Sequence, residues 1–145
     1  MRFFVAKDAP QNDNGFVVGI GVNLGRFVNR PYNVGVDEVL DAVWYILENP
    51  AQHGEYVVLD SVQGKLSPVW LSEGEARGFL TASPAALGMS VAELRTFILK
   101  EAYLLALEYL EVSHVVFDYQ PGRPQAAVLA LAQLYERLTQ RLRSD

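Results

Sequence analysis

The residues best suited to ligand chemistry lie between the last predicted strand and the last predicted helix. Asp118, Tyr119, Gly122 and Arg123 follow an apolar run and precede a helical pattern that begins at Pro124. Such junctions bring together backbone amides, the positive end of a helix dipole and polar side chains, which suits an anion or a polar ligand. We therefore predict a ligand-binding site at these four residues. The alternative is a plain turn at Gly122, with Asp118 accepting hydrogen bonds from loop amides.

The two histidines, His53 and His114, do not form part of a recognisable metal or catalytic cluster. His114 and Asp118 fall on the same face of a predicted strand, but four residues of strand separate them by about 13 Å, beyond hydrogen-bonding reach. His53 stands beside Gly54 in a predicted loop, where a surface histidine is the ordinary interpretation. The chain has no cysteine, which excludes disulfides, thiol nucleophiles and thiolate metal sites. We predict no metal site, no cofactor and no catalytic residue.

Glycine-rich and serine-containing segments match catalytic motifs only in part. Residues 19–25, Gly-Ile-Gly-Val-Asn-Leu-Gly, place the third glycine one position late for a dinucleotide loop, and no helix follows to bind phosphate. Glycines within a strand are the alternative interpretation. Asp60 and Ser61 enter a predicted hairpin turn, with Ser67 and Ser72 nearby, but there is no G-x-S-x-G elbow. We assign these segments structural roles.

Composition favours a soluble protein of the cytoplasm. The chain has 145 residues, a net charge of −5 and 50% hydrophobic residues. This length is typical of one domain, and the apolar runs are shorter than the roughly 20 residues that cross a bilayer. Residues 1–11 lack the long apolar region and cleavage site of a secretory signal. We expect a single domain over residues 1–145 with no membrane partner.

The arginines suggest nucleic-acid binding as one alternative function. The net negative charge opposes non-specific attraction to phosphate backbones. A basic surface requires the fold to bring together arginines from two parts of the chain: Arg26, Arg30 and the C-terminal Arg137, Arg141 and Arg143. Arginines near the end of a helix also complement its dipole, which is the structural alternative.

A hairpin predicted between residues 55 and 71 is the element around which the rest of the fold is arranged. Two apolar strands flank a turn at Gly64, and Ser72 and Glu75 then form a capping box that begins a helix. Pro68 lies in the second strand and has no N–H to donate. That strand is therefore expected at a sheet edge, or with the Pro68 amide facing outward.

Apolar periodicity predicts three further helices. They run from Val36 to about Leu47, from Val91 to about Leu110 after a capping pattern at Ser90, and from Pro124 to about Leu142. The second of these is apolar around much of its circumference, which is typical of a central helix or a subunit interface. We therefore expect a homodimer that uses part of this helix.

Strands are predicted at residues 2–7, 16–22 and 112–118 in addition to the hairpin. The first two are expected to be antiparallel neighbours, because the loop between them is too short for a crossover helix. The predicted order is ββ-α-ββ-α-α-β-α. This order indicates an α+β domain with about five mainly antiparallel strands and helices packed on one face.

Two segments resemble the enhanced-serine-sensitivity (SseB-like) family. Residues 64–72, Gly-Lys-Leu-Ser-Pro-Val-Trp-Leu-Ser, followed by Glu-Gly-Glu-Ala-Arg, resemble its edge strand and acidic helix, and residues 115–122, Val-Val-Phe-Asp-Tyr-Gln-Pro-Gly, resemble its strand ending in Asn-Pro-Gly. This chain has Trp70-Leu71 in place of Phe-Thr. The resemblance covers the C-terminal two-thirds and implies a small α/β domain of non-enzymatic role, without transferable functional residues.

The leading interpretation is a non-catalytic binding or regulatory protein that acts through protein–protein contacts. It rests on the absence of a clustered acid, base, nucleophile and metal set in the sequence. The alternative is a small hydrolase or transferase with a site near Asp118 and Arg123. That alternative requires a second titratable group within about 3 Å of Asp118, or one water away.

Overall fold

Strands and helices alternate along the part of the chain that the computed structural model describes, residues 3–6, 17–21, 35–51, 56–61, 64–83, 86, 88–120 and 126–144. For residues 3–6, 17–21, 60, 61 and 144 the description covers the backbone only. The elements in chain order are β1 (Phe3–Ala6), β2 (Val17–Gly21), α1 (Val36–Asp41), β3 (Trp44–Glu48), β4 (Val57–Ser61), β5 (Gly64–Val69), α2 (Glu73–Ala82), β6 (Ser90–Leu94), α3 (Phe97–Tyr109), β7 (His114–Phe117), β8 (Ala127–Ala130) and α4 (Leu131–Ser144).

The described strands form two sheets. The larger sheet has the order β1-β2-β4-β5-β7-β8, and β3 pairs antiparallel with β6 in the smaller one. Within the larger sheet, β2–β4 and β5–β7 are parallel pairs and the other three are antiparallel. Tyr45 of β3 exchanges backbone hydrogen bonds of 2.8 and 2.9 Å with Trp70, directly after β5, and so joins the two sheets. The mixed α+β class is confirmed, with more strands than the five expected.

Side chains of the central strands alternate between two hydrophobic cores, one on each face of the larger sheet. One core combines Val58, Val69 and Phe117 with residues of α1, α3 and α4. The other combines Leu59, Leu66 and Val116 with Ala76 and Phe79 of α2. The expectation that helices pack on one face is therefore wrong. The strands carry apolar residues at consecutive positions, so both faces need a cover.

The central hairpin is confirmed, but its second strand is not at an edge. β5 lies between β4 and β7 in the sheet, so the edge position predicted from Pro68, and from the resemblance to the SseB-like edge strand, is wrong. The β4 pairing includes Leu66, whereas Trp70 pairs with β3. Pro68 lies between Leu66 and Trp70 and faces the same side of β5. On that side the neighbouring strand changes from β4 to β3, so the missing N–H of Pro68 is tolerated there.

The helix predicted from Val36 to about Leu47 is shorter. α1 ends at Asp41, and Trp44 begins β3. The apolar spacing fits a helix, but the continuous apolar run that follows also fits a buried strand, which periodicity alone does not distinguish. Pairing with β6, with Trp44 opposite Leu94, selects the strand.

The helix predicted from Val91 begins later, at Phe97. Residues 90–94 form β6, and the Oγ1 atom of Thr96 caps α3 by accepting the N–H of Leu99 at 3.1 Å. The capping pattern at Ser90 was a local signal. It is overridden because β6 is the sheet partner of β3.

The helix predicted from Pro124 also contains a strand. Residues 127–130 form β8, with Val128 opposite Val116 of β7, and α4 begins at Leu131. Alanine and leucine favour a helix locally, but pairing with β7 overrides that preference. The observed order is therefore ββ-α-βββ-α-β-α-ββ-α.

Candidate functional site

The predicted ligand site lies at the carboxyl ends of β5 and β7, which are neighbours in the sheet and parallel. Asp118 and Tyr119 come directly after β7, and α2 begins shortly after β5. Gly122 and Arg123 lie outside the described residues, so only half of the predicted site has a known geometry. Carboxyl ends of adjacent parallel strands are common ligand-binding positions.

Asp118 forms bonds that hold the ends of the two strands together. Its backbone N–H donates to the carbonyl of Val69 at 2.8 Å, and its carboxylate Oδ1 accepts the N–H of Leu71 at 3.0 Å. Its φ of 63° is in the left-handed region, which aspartate and asparagine occupy more readily than most residues. These contacts match the structural alternative, in which Asp118 satisfies a loop amide.

Tyr119 packs into the core beside α2. It is 6% exposed, its ring centroid lies 6.0 Å from that of Phe79, and burial raises the pKa of its phenol. Its carbonyl accepts the indole N–H of Trp70 at 2.8 Å. Next to it, the side-chain amide of Gln120 donates to the carbonyl of Glu75 at 2.6 Å. These bonds anchor the segment after β7 to α2.

Of the two histidines, the structure describes His114, which contacts its neighbour in the chain. The ring Nδ1 of His114 lies 2.8 Å from the hydroxyl of its neighbour Ser113. Across the described residues, no three His, Cys, Asp or Glu side chains come close enough to hold a metal ion together. His53 lies outside the described residues.

The described parts of the glycine and serine segments have structural roles. Gly19 and Gly21 lie within β2, which pairs with β1 and β4, whereas Gly25 lies outside the described residues. Ser72 caps α2 by accepting the N–H of Glu75 at 3.2 Å. Asp60 and Ser61 end β4, and only their backbone is described. The interpretation of Gly19 and Gly21 as glycines within a strand is therefore confirmed.

The C-terminal arginines form ion pairs with α1. Arg137 donates to Asp37 at 2.8 Å, and Arg141 donates to Asp37 at 3.3 Å and also to Asp41. The hydrogen bond from Arg137 lowers the pKa of Asp37. Two of the five arginines proposed for nucleic-acid binding, Arg137 and Arg141, are thus engaged by carboxylates. Arg26 and Arg30 lie outside the described residues.

Lys100 is a buried cation that sequence reasoning missed. Its side chain is 1% exposed, and Nζ donates to the carbonyls of Leu40 and Ala42 at 2.7 and 2.6 Å. The rings of Trp44 and Phe97 each lie 5.5 Å from Nζ. Burial lowers the pKa of the ammonium group, and this effect is opposed by the nearby carboxylate of Asp41. Lys100 thus supplies donors to the carbonyls at the C-terminal end of α1.

One signal in the sequence could have located Lys100. It lies three and four positions before Tyr103 and Leu104, on the stripe of α3 that faces the core. A lysine on such a stripe requires a buried acceptor. The acceptors themselves are backbone carbonyls 58 and 60 residues away, so no side-chain motif could identify them.

A pair of hydroxyl groups is buried between β5 and α3. The hydroxyls of Ser67 and Tyr103 lie 2.5 Å apart, and the rings of Tyr103 and Tyr56 meet edge to face at 5.1 Å. Burial raises the pKa of Tyr103, and burial together with Glu48 raises that of Tyr56. Ser67 is completely buried, and this pair links the sheet to α3.

The opposite side of α3 presents apolar side chains to solvent. Ile98, Leu105 and Tyr109 are 66%, 44% and 63% exposed, and Ala102 between them is exposed as well. These four residues, the α3 stripe, recur at spacings of four, three and four residues on one side of the helix. Leu99, 46% exposed, lies beside them. This stripe corresponds to the apolar surface expected from the sequence.

No helix among the described residues is long and apolar enough to span a membrane.

Comparison with known proteins gives a family. No curated protein matches the sequence. Residues 41–135 match the family described as "Protein of unknown function (DUF3234)". The matched range extends from the end of α1 into α4 and contains α3 and the junction after β7. Because it covers more than half of the chain, this protein is a member of the DUF3234 family.

Proposed function

We propose that this protein is a non-catalytic binding or regulatory module that acts through contacts with other protein chains, and that the α3 stripe is the contact surface. The observation that supports this proposal is the exposure of Ile98, Leu105 and Tyr109 on one side of a helix whose other side is deeply buried. Contiguous exposed apolar surface is typical of protein-binding sites. Tyrosine is also enriched at the centres of interfaces.

The polar groups of the junction after β7 are used in the fold. Asp118 bonds to Val69 and Leu71, and the carbonyl of Tyr119 accepts the indole N–H of Trp70. Outside the junction, the buried hydroxyls of Ser67 and Tyr103 bond to each other. A hydrolase or transferase near Asp118 and Arg123 remains the second proposal, favoured only by the position of Asp118 at the carboxyl ends of parallel strands. Nucleic-acid binding has less support, because Arg137 and Arg141 are paired with carboxylates. Membership of the SseB-like family remains a proposal as well.

The test compares the partners of three tagged proteins in the cell of origin. The first is the wild type, and the second is Ile98→Glu/Tyr109→Glu, which adds two negative charges to the α3 stripe. The third, Ala132→Glu/Gln133→Glu, adds the same charge to exposed positions of α4. Far-UV circular dichroism and urea unfolding first establish that all three are folded.

We expect chains that co-purify with the wild type and the α4 variant to be lost from the α3 variant, since charges in an apolar contact are strongly unfavourable. Quantitative mass spectrometry of cross-linked samples measures this loss. Identical sets of chains from all three proteins would refute the α3 stripe as the contact surface. Turnover of a substrate by the wild type that is abolished in Asp118→Asn would support the enzymatic alternative instead.

A further inference from the structure

We propose that a second copy of this chain binds the α3 stripe, with the two α3 helices antiparallel about a two-fold axis that passes between Ala102 and Leu105. This inference rests on the proposed function, because it assigns an occupant to the same surface. The four-three-four spacing of the stripe is the spacing of apolar seams in paired helices. The same patch on both chains forms a closed, isologous interface.

The sizes of the side chains favour the antiparallel orientation. With the axis between Ala102 and Leu105, each Ala102 methyl group faces Leu105 of the second copy, and each Ile98 faces Tyr109. Large residues then meet small ones at the centre, which is how well-packed helix pairs fill space. In a parallel pair, Ala102 would face Ala102, and the two small side chains would leave unfilled space between the larger pairs on either side. The sequence of the stripe is therefore self-complementary in one orientation.

The charges beside the stripe distinguish a second copy from a basic partner, because binding of the two responds oppositely to salt. Glu101 and Glu108 lie along one edge of the stripe, and the only basic residue of α3, Lys100, is buried. In the antiparallel pair the glutamates of the two copies face each other along that edge. Their repulsion weakens as salt screens it, so the homodimer tightens with salt. A basic partner helix would bind more weakly as salt increases.

The expected dimer is weak. Stable interfaces bury about 800 Å² on each partner, and four side chains of a 13-residue helix supply less than that. We therefore expect dissociation on dilution through roughly the micromolar range, below the affinity typical of standard-size interfaces. Replacing Glu108 with Gln removes one repulsive charge from each copy and is expected to shift the dimer to lower concentrations.

Sedimentation of the full chain measures this equilibrium. We expect the wild type and Ala132→Glu/Gln133→Glu to dimerise, more tightly at about 0.5 M than at about 0.05 M salt because the screening length shortens. Ile98→Glu/Tyr109→Glu should remain monomeric under both conditions. A wild-type monomer at about 100 µM, well above the expected range, or a dimer that persists in the α3 variant, would overturn the proposal.

The absence of cysteine allows the orientation to be tested directly. An antiparallel pair brings Ile98→Cys of one chain against Tyr109→Cys of the other, so a mixture of the two variants should form mixed disulfides. Ile98→Cys alone should not cross-link, because the two copies of position 98 are about 16 Å apart along the helix axis. Rapid cross-linking of Ile98→Cys to itself would contradict the antiparallel arrangement.

The two proposals fail in different ways. Suppose that the wild type is monomeric and that the α3 variant loses the cellular contacts of the wild type. The proposal of a second copy is then wrong, and the α3 stripe remains supported as the contact surface. If the cellular contacts are unaffected as well, both proposals are wrong.

Discussion

Replacing Lys100 with Met should destabilise the fold, although it removes a buried charge. The ammonium group donates to the carbonyls of Leu40 and Ala42, and the side chain is 1% exposed. Hydrogen bonds from charged donors contribute about 1.5–3 kcal/mol each, so the two account for about 3–6 kcal/mol. Contacts with the Trp44 and Phe97 rings add about 0.5–2 kcal/mol.

Opposing this, the substitution recovers the cost of burying the ammonium group, which is several kcal/mol. Methionine has a similar length and fills the space, so little cavity penalty is added. The loss of these two bonds decides the sign, because it leaves the carbonyls of Leu40 and Ala42 without their donor. We expect a net loss of about 2–4 kcal/mol in the free energy of unfolding, measured in urea by circular dichroism.

A pH series tests the same cation independently. Burial lowers the pKa of folded Lys100 below the 10.5 of an unperturbed lysine. Between the folded and unfolded pKa values the unfolded chain binds more protons, so the stability contributed by Lys100 rises with pH in that window. The wild type should therefore gain stability relative to Lys100→Met as pH approaches 10.5.

The matched control is Arg95→Met, which removes an exposed cation paired with Glu93 at 2.8 Å. We expect its free energy of unfolding to equal that of the wild type within error, since exposed ion pairs contribute little. The reasoning is refuted if Lys100→Met is as stable as Arg95→Met at neutral pH. It is also refuted if the stability difference between wild type and Lys100→Met is independent of pH between neutrality and 10.5.

Three further predictions concern the core, the junction and a helix start. Burial raises the pKa of Tyr103, so the unfolded chain loses this proton first and stability falls as pH rises above 10.0, by about 1.4 kcal/mol per pH unit. Urea unfolding at about pH 9 and pH 11 should show a smaller fall for Tyr103→Phe than for Ser67→Ala, which keeps the phenol; equal falls would contradict this assignment. Asp118→Ala should cost about 1–3 kcal/mol, whereas Asp118→Asn keeps an acceptor, tolerates positive φ and should cost much less. Equal stabilities in thermal unfolding would show that the Asp118 acceptor is unimportant. Thr96→Ala should cost about 1 kcal/mol by removing the α3 cap, more than Ser90→Ala; the reverse order would move the helix start back to the predicted position.

The sequence identified elements whose signals are complete within a few residues. The hairpin around Gly64 and the Ser72 cap were correct because turn residues and a capping hydroxyl act on atoms close by in the chain. The antiparallel pairing of β1 with β2 was also correct, since a short connection leaves few alternatives.

The three missed strands have a common physical cause. β3, β6 and β8 are short apolar segments that also match a helical spacing. Their choice between strand and helix depends on a partner strand elsewhere in the chain, such as β6 for β3. Local propensity contains no information about that partner.

Local signals and distant partners also differ in how far they allowed the candidate site to be predicted. The structural alternative for Asp118 could be stated from the sequence, because aspartate after a strand commonly satisfies nearby amides. The role of Lys100 could not, because its acceptors are backbone carbonyls of α1 that only the tertiary fold brings into reach. Backbone acceptors have no sequence signature.

α3 is apolar around most of its circumference, and the proposed contact with another chain accounts for its exposed apolar side. Lys100 and Tyr103 face inward, where they bond to α1 and to β5. Ile98 and Leu105 lie on the opposite side, about half a turn away at 100° per residue, and face solvent. Burial of the inner side fixes the position of the helix, so the outer side chains are presented on a rigid element and lose little freedom on binding. An apolar surface held in this way is a stronger indication of a protein contact than the same residues on a loop.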